Sequence, residues 1–183
     1  MAENQIPVIE VTYYVASSLD GFIADPRGGV EWLEPFERGD EDYGYASFYA
    51  RVDAVVMGRA TFDFARTQER WPYADRPAWV FSREPLVPQL PDGTHATSDS
   101  PTDVVDALAS RGFGHVYLVG GGRLAASFRE AGLITRYVVS VVPVILGSGL
   151  PMLAEARCAD RLRLVGSRAY DGGIVQMEYR VER

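Results

Sequence analysis

His115-Val116-Tyr117-Leu118-Val119-Gly120-Gly121-Gly122-Arg123-Leu124-Ala125-Ala126-Ser127-Phe128-Arg129-Glu130-Ala131-Gly132 is an apolar run, three glycines and then a helical pattern. It reads as strand, bare turn and helix. Val116 to Val119 suit a buried strand, while Leu124, Ala125 and Phe128 share one helical face before Gly132 ends the helix. With no Cβ at Gly120, Gly121 or Gly122, a ligand can come close to the backbone. The unpaired N–H groups of a helix N-terminus point at that spot, which is how proteins hold phosphate. A tight turn that packs helix on strand uses the same glycines, so the run alone does not choose. The spacing is not the Gly-x-Gly-x-x-Gly of the doubly wound dinucleotide fold, and the run comes late in the chain. A dinucleotide held here is held by a different fold.

The same pattern recurs upstream. Ala54-Val55-Val56-Met57 is a short buried strand that runs into Gly58-Arg59-Ala60-Thr61-Phe62, where Thr61 suits a helix cap and Arg59 an anion. A glycine turn with a solvated arginine reads equally from those residues. Trp79-Val80-Phe81 is the next strand and ends in Ser82-Arg83, a hydroxyl and a guanidinium that could clamp phosphate or simply face solvent. Val8 to Ser17 reads as the first strand, and Ala16 to Trp32 as a loop-rich connection with turn signals at Asp20-Gly21 and Asp25-Pro26 and apolar anchors at Ile23 and Trp32. Tyr45, Phe48, Tyr49 and Val52 recur at helical spacing, a stripe whose usual fate is core packing. Trp71-Pro72 closes that unit.

Glu84 to Asp99 is a proline-rich loop with at most a short strand. Ser100, Pro101 and Asp103 then open a helix with Val104, Ala107 and Leu108 on its apolar face, and Gly112 stops it. Tyr137 to Val142 is another buried strand, followed by Pro143 to Pro151. Leu162 and Leu164, then Val175, Met177, Tyr179 and Val181, alternate on either side of Asp171-Gly172-Gly173 as a hairpin. This succession predicts an α/β domain with a mixed, mostly parallel sheet, helices on both faces and an antiparallel C-terminal hairpin.

At 183 residues with 47% hydrophobic content, the chain fits one domain with a substantial core. A net charge of −7 argues against a surface that binds nucleic acid or acidic membrane by bulk charge. Any phosphate recognition is therefore local. No apolar run approaches the length of a bilayer span, and Met1 to Val8 lacks the parts of a signal peptide, so the expected setting is the cytoplasm. Cys158 has no second cysteine, and His95 and His115 are too few for a zinc cluster, so metal-free chemistry is expected.

Ala16-Ser17-Ser18-Leu19-Asp20-Gly21-Phe22-Ile23-Ala24, Met57-Gly58-Arg59-Ala60-Thr61-Phe62, Phe81-Ser82-Arg83, Val119-Gly120-Gly121-Gly122 and the Pro143 to Gly149 stretch together resemble the dihydrofolate reductase-like superfamily. The order and spacing cover the whole chain, 1–183. They are most similar to the reductase domain of the riboflavin-biosynthesis deaminase/reductase proteins and its stand-alone relatives. The resemblance implies a three-layer α/β/α domain that binds NADPH. Gly58, Arg59 and Thr61 would hold the pyrophosphate from one side and Gly120, Gly121 and Gly122 from the other, with Val119, Arg123 and Leu124 also among the cofactor-binding positions. Ser82 and Arg83 match the group on the adenosine 2′-phosphate, Ala16 and Ile23 positions lining the nicotinamide pocket, and Asp20 the acid of the Ser-Leu-Asp-Gly motif. The His-x-Glu and Pro-Cys-x-x-Cys motifs of the zinc deaminase half are absent. Glu37 follows Trp32 at about the distance of the pterin-contacting acid of true dihydrofolate reductases, but in an acidic stretch that suits a solvated residue better.

The expected activity is hydride transfer from NADPH to a C=N or masked carbonyl carbon of a pyrimidine, pteridine or ribosylamino substrate, similar to 5-amino-6-(5-phosphoribosylamino)uracil reductase. Asp20, if desolvated near the nicotinamide, is the one motif acid to nominate as proton donor or substrate anchor. The same residue suits a plain Asp-Gly turn. The alternatives are dihydrofolate reductase proper, a nucleotide-binding module without turnover, and a reductase with a substrate outside both pathways. Val138 to Val142 and Leu146 to Leu153 are expected to leave apolar surface for a homodimer, as in relatives of the riboflavin branch. Sedimentation at micromolar concentration checks this: a species of twice 20.2 kDa is expected, and the single-chain mass alone would count against it.

Overall fold

The computed structural model describes residues 9–37, 39, 41–86 and 89–182, and the reading of Met1 to Val8 lies outside the described residues. In chain order the elements are β1 (Glu10–Ser18), β2 (Phe22–Ala24), a 3₁₀ turn (Glu31–Phe36), α1 (Tyr45–Tyr49), β3 (Ala54–Gly58), α2 (Arg59–Ala65), β4 (Ala78–Phe81), β5 (Thr94–Thr97), α3 (Pro101–Ser110), β6 (His115–Gly120), α4 (Gly122–Glu130), β7 (Arg136–Val142), β8 (Leu150–Pro151), β9 (Arg161–Ala169) and β10 (Val175–Glu182). One sheet runs β5-β4-β3-β6-β1-β7-β10-β9, and β2 pairs with β8 in a small second sheet. From β5 to β7 every pairing is parallel, and β10 is antiparallel to both β7 and β9.

The central strands are apolar throughout because both of their faces are covered. Alternation sends Val56, Leu118, Val11 and Tyr13 to one face, where Val104 and Leu108 of α3 and Ala125 and Phe128 of α4 meet them. Val55, Met57 and Tyr117 go to the other, against Phe48 of α1 and Phe62 of α2. The result is the expected α/β/α layering. α3 opens as its sequence predicts: the Ser100 hydroxyl accepts from the Asp103 N–H at 3.2 Å, with Pro101 at the first helical position.

Several boundaries differ from the sequence reading. The connection after β1 is more ordered than a loop, since β1 continues through Ser18 and β2 and the 3₁₀ turn follow. The Tyr45 helix is a single turn and a half, with Val52 buried beyond its end. The Val138 to Val142 surface expected to drive assembly is interior: Val138, Val139 and Val142 are buried because β7 lies between β1 and β10. Leu150, in the Leu146 to Leu153 segment, is exposed as expected, and further exposed apolar side chains sit at Ile145 and on β9 at Leu162, Leu164 and Val165.

One glycine is demanded by packing. Tyr13 donates its hydroxyl to the Met152 carbonyl at 2.8 Å, and the Ala154 N–H reaches the Gly122 carbonyl at 3.3 Å, drawing residues 151–154 across the start of α4. A Cβ on Gly122 would sit on the Pro151 carbonyl oxygen, a backbone atom that cannot swing aside. At Gly121 a Cβ would meet only Thr61 Oγ1 at 3.7 Å and Ile23 Cδ1 at 3.9 Å, which are ordinary contacts. Gly122→Ala is therefore expected to cost about 1–3 kcal/mol by overpacking. Gly121→Ala should stay within about 0.5 kcal/mol of wild type, and thermal unfolding of both variants checks the difference.

Candidate functional site

β3 and β6 are neighbours, yet α2 leaves β3 for one face of the sheet and α4 leaves β6 for the other. Such a reversal opens a crevice at the carboxyl ends of the strands, where α/β sheets bind ligands. The two glycine turns meet there. A Cβ built on Gly58 would lie 3.7 Å from both the Gly120 carbonyl oxygen and the Gly121 nitrogen, and 3.9 Å from Leu124 Cβ. Pairing shifts by one residue between Val56/Leu118 and Met57/Gly120, so Val119 is the extra residue of a bulge that re-aims the end of β6. Gly120 has φ +130°, a backbone that side chains rarely adopt, and Thr61 Oγ1 lies beside both Gly120 and Gly121. Gly58, Thr61, Gly120, Gly121, Leu124 and Ile23 thus converge on one bare patch of backbone.

The phosphate candidates line the next strand end. Gly58 pairs in register with Phe81, which places Ser82 and Arg83 beside the Gly58–Arg59 turn. Arg59 donates to Asp63 at 2.7 Å within α2 and reaches the Pro85 carbonyl at 3.5 Å. The Ser82 hydroxyl accepts from the Glu84 N–H and donates to its carbonyl, forming a closed turn. Arg83 is exposed and makes no ion pair among the described residues, so Glu84 does not blunt it. Arg123 is exposed on the first turn of α4.

Ala16 and Ile23 have different neighbours. Ile23 reaches Gly121, whereas Ala16 packs with Trp32, Leu33 and Val144 around Val142. Below Ala16 lies a network that the sequence does not announce. Gln176 Nε2 is within 3.0 Å of the Tyr14 hydroxyl, the Tyr43 carbonyl and the Ser140 hydroxyl, although 162 residues separate Tyr14 from Gln176. Burial pushes the Tyr14 phenol up to about 12. Glu37 is exposed at the end of the 3₁₀ turn, not turned into a pocket.

Asp20 does not have the desolvated setting that the sequence reading required of a proton donor. Its carboxylate is exposed and accepts from the Ser18 hydroxyl at 2.6 Å, the Gly147 N–H at 2.7 Å and the Leu146 N–H at 3.1 Å. The Ser18 hydrogen bond above all holds the carboxyl below the usual carboxylate range; desolvation opposes it, and the individually weaker N–H hydrogen bonds add to the lowering. The residue is an ionised staple joining the 18–22 turn to the 145–147 loop. Ser18 serves both sides, since its hydroxyl also accepts from the Phe22 N–H at 2.9 Å.

A carboxyl whose folded pKa is depressed contributes its bonding fully above the unfolded pKa and loses it as pH falls through the folded value. The staple is therefore expected to be intact at neutral pH. Asp20→Asn should speed hydrogen exchange at the Leu146 and Gly147 amides by on the order of tenfold through local opening. Wild type should show the same change only below the usual carboxylate range, once exchange is corrected for its intrinsic pH dependence.

Residues 10–176 match the family model described as the RibD C-terminal domain. A solved structure from Shewanella sp. PV-4, whose name refers to riboflavin biosynthesis, is 30% identical with a TM-score of 0.88, covering 96% of this chain and 100% of that one. The diaminohydroxyphosphoribosylaminopyrimidine deaminase/5-amino-6-(5-phosphoribosylamino)uracil reductase of Thermotoga maritima shares the fold at 18% identity and a TM-score of 0.69, covering 95% of this chain and 57% of that one. So does the dihydrofolate reductase of Enterococcus faecalis, solved with NADP(H) and RAB-propyl, at 15% identity and a TM-score of 0.67, with 95% and 97% covered. The layered sheet is the dihydrofolate reductase-like fold, and the chain belongs to the RibD C-terminal domain family.

Proposed function

We propose that this protein is a reductase that takes NADPH in the crevice between β3 and β6 and reduces a C=N or masked carbonyl carbon of a ribosylaminopyrimidine or related heterocycle. The observation that carries this reading is the meeting of Gly58 with Gly120 and Gly121 as bare backbone, a cradle that side chains would fill. NADP(H) in the Enterococcus faecalis neighbour and the reductase name of the Thermotoga maritima neighbour support it. When bound, NADPH supplies a hydride from its nicotinamide ring.

The residues of this chain bind and orient. Gly58, Thr61 and Gly120 to Gly122 offer backbone N–H and hydroxyl groups to the pyrophosphate, with Arg59 and Arg123 as the nearby cations. Val119 and Leu124 supply apolar contact, and Ile23 and Ala16 border the nicotinamide and the substrate. Asp20 acts as a positioning residue: ionised and exposed, it holds the 18–22 turn in place, and the proton consumed by the reduction is drawn from solvent. A reducing cytoplasm suits a chain whose one thiol, Cys158, is unpaired.

Ser82 and Arg83 present a hydroxyl and a permanently charged planar fork where the adenosine 2′-phosphate would lie. Hydrogen bonds from such a group to phosphate make Arg83 worth roughly ten- to hundredfold in affinity. Arg83→Ala is expected to weaken NADPH binding by that factor, leave NADH binding nearly unchanged and flatten the salt dependence of the NADPH affinity. Calorimetric titration of both nucleotides into both proteins measures this, and equal losses for the two would remove Arg83 from the 2′-phosphate. NADPH oxidation assayed with dihydrofolate and with the ribosylaminopyrimidine phosphate tests the reaction itself, and failure of NADPH to bind at all would sink the reading.

A further inference from the structure

Beyond α4 the sheet continues into β7, β10 and β9, and on the α3/α4 face a cavity of about 450 Å³ lies between those strands and residues 151–160. It is not the β3–β6 crevice. Alternation along β1 turns Tyr13, Val15 and Ser17 toward this face, and Tyr14 and Ala16 toward the other. The 151–160 segment is anchored to α4 as well as to the sheet: Arg129 donates to the Cys158 carbonyl at 2.6 Å and to Asp160 at 2.7 Å, and the Arg157 N–H reaches Glu130 at 2.9 Å.

The walls are apolar, with Val139, Val141, Met177 and Leu162 on the strand side and Met152 and Leu153 opposite. Two polar features break them. Ser17 is 2% exposed and lines the cavity, and its hydroxyl has no hydrogen-bond partner among the described residues, in contrast to the doubly bonded hydroxyl of Ser18. The Ser17 hydroxyl faces the cavity, where a ligand group can take the place of water on it. Arg129 also lines the cavity, with its charge balanced by Asp160 and with guanidinium N–H groups beyond the two bonds it makes. Tyr137 Oη lies 3.5 Å from Asp160, the partner of Arg129, and Ser17 pairs in register with Val141, four residues along β7 from Tyr137. At a strand rise of about 3.3 Å per residue, those two β7 positions are about 13 Å apart along the cavity.

We propose that this cavity is a second small-molecule site, for an uncharged planar aromatic or heteroaromatic compound that offers an acceptor to Arg129 and a hydroxyl or carbonyl to Ser17. Its volume falls in the range of small-molecule pockets, roughly 300–1,000 Å³. The balanced ion pair disfavours a charged ligand, and the two facing methionines can adapt to a flat ring system. Leu19 and Gly21 also line it, so an occupant braces the turn that carries Asp20 from behind.

4-Methylumbelliferone in its neutral form is a suitable probe, being planar with a hydroxyl at one end and a lactone carbonyl at the other. Fluorescence anisotropy without nucleotide is expected to show one saturable site per chain with a Kd below about a millimolar. Ser17→Ala removes only the unpartnered hydroxyl and should weaken binding about tenfold, the equivalent of one well-made hydrogen bond. Leu162→Trp, on the exposed strand β9, should fill the cavity and abolish binding while thermal unfolding stays two-state. The proposal is overturned by absent or non-saturable binding, or by equal binding in wild type and both variants. Competition by NADPH would place the probe in the β3–β6 crevice and overturn it as well, and so would probe binding that is lost as the chain self-associates, which would make this face an interface between copies. Because the titration contains no nucleotide, a failure of the NADPH reading leaves this result standing.

Discussion

Everything at the candidate site depends on backbone passing close to backbone. β3 and β6 are adjacent, their helices depart to opposite faces, and the chain between each strand and its helix must turn in the same small space. Gly58 faces Gly120 and Gly121 with no side chain between them, and Gly122 in turn lies under the Pro151 and Met152 carbonyls. A side chain at Gly122 would push the 151–154 segment off the start of α4. The loss would spread, because the Tyr13 hydroxyl and the Gly21 carbonyl both hold Met152. The crevice floor, the 151–154 crossing and the loop after β1 are therefore one packed unit, held by main-chain atoms that have little room to relax.

Above that floor the loops are tied by exposed polar contacts. Asp20 gathers one hydroxyl and two N–H groups, and the Leu19 N–H reaches the Val144 carbonyl at 2.8 Å. Contacts of this kind open more readily than the buried ladders of β1, β3 and β6. The crevice therefore has a rigid floor and a lightly stapled rim. The acid that the motif brings forward thus shapes the site by organising backbone, and its low pKa follows from that task.

β1 separates two environments. Ala16 looks toward Trp32 and Val144, while Ser17, one residue on, looks into the apolar cavity behind the sheet. That division follows from the two-residue period of a strand, and the Ser18 to Gly21 turn is the wall shared by both sides.

Local pattern alone determined the layers and the glycine turns. Apolar runs of three to six residues at 54–57, 79–81, 116–119 and 137–142 suit strands covered on both faces, and the glycines after 57 and 119 each mark a strand giving way to a helix. Those features are legible because the atoms that enforce them lie within a few residues of one another. Tertiary structure decided what joins residues far apart in the chain. Val138, Val139 and Val142 look like an assembly surface until β10 pairs with β7 and buries them. Asp20 looks like a candidate acid until the Ser18 hydroxyl and the amides of Leu146 and Gly147, 126 and 127 residues on, hold its carboxylate in the charged form. Gln176 meets Tyr14, and the Pro151 carbonyl covers Gly122, with no periodicity to announce either contact. Periodicity tells which face a side chain takes, but only the folded sheet order decides what waits on that face.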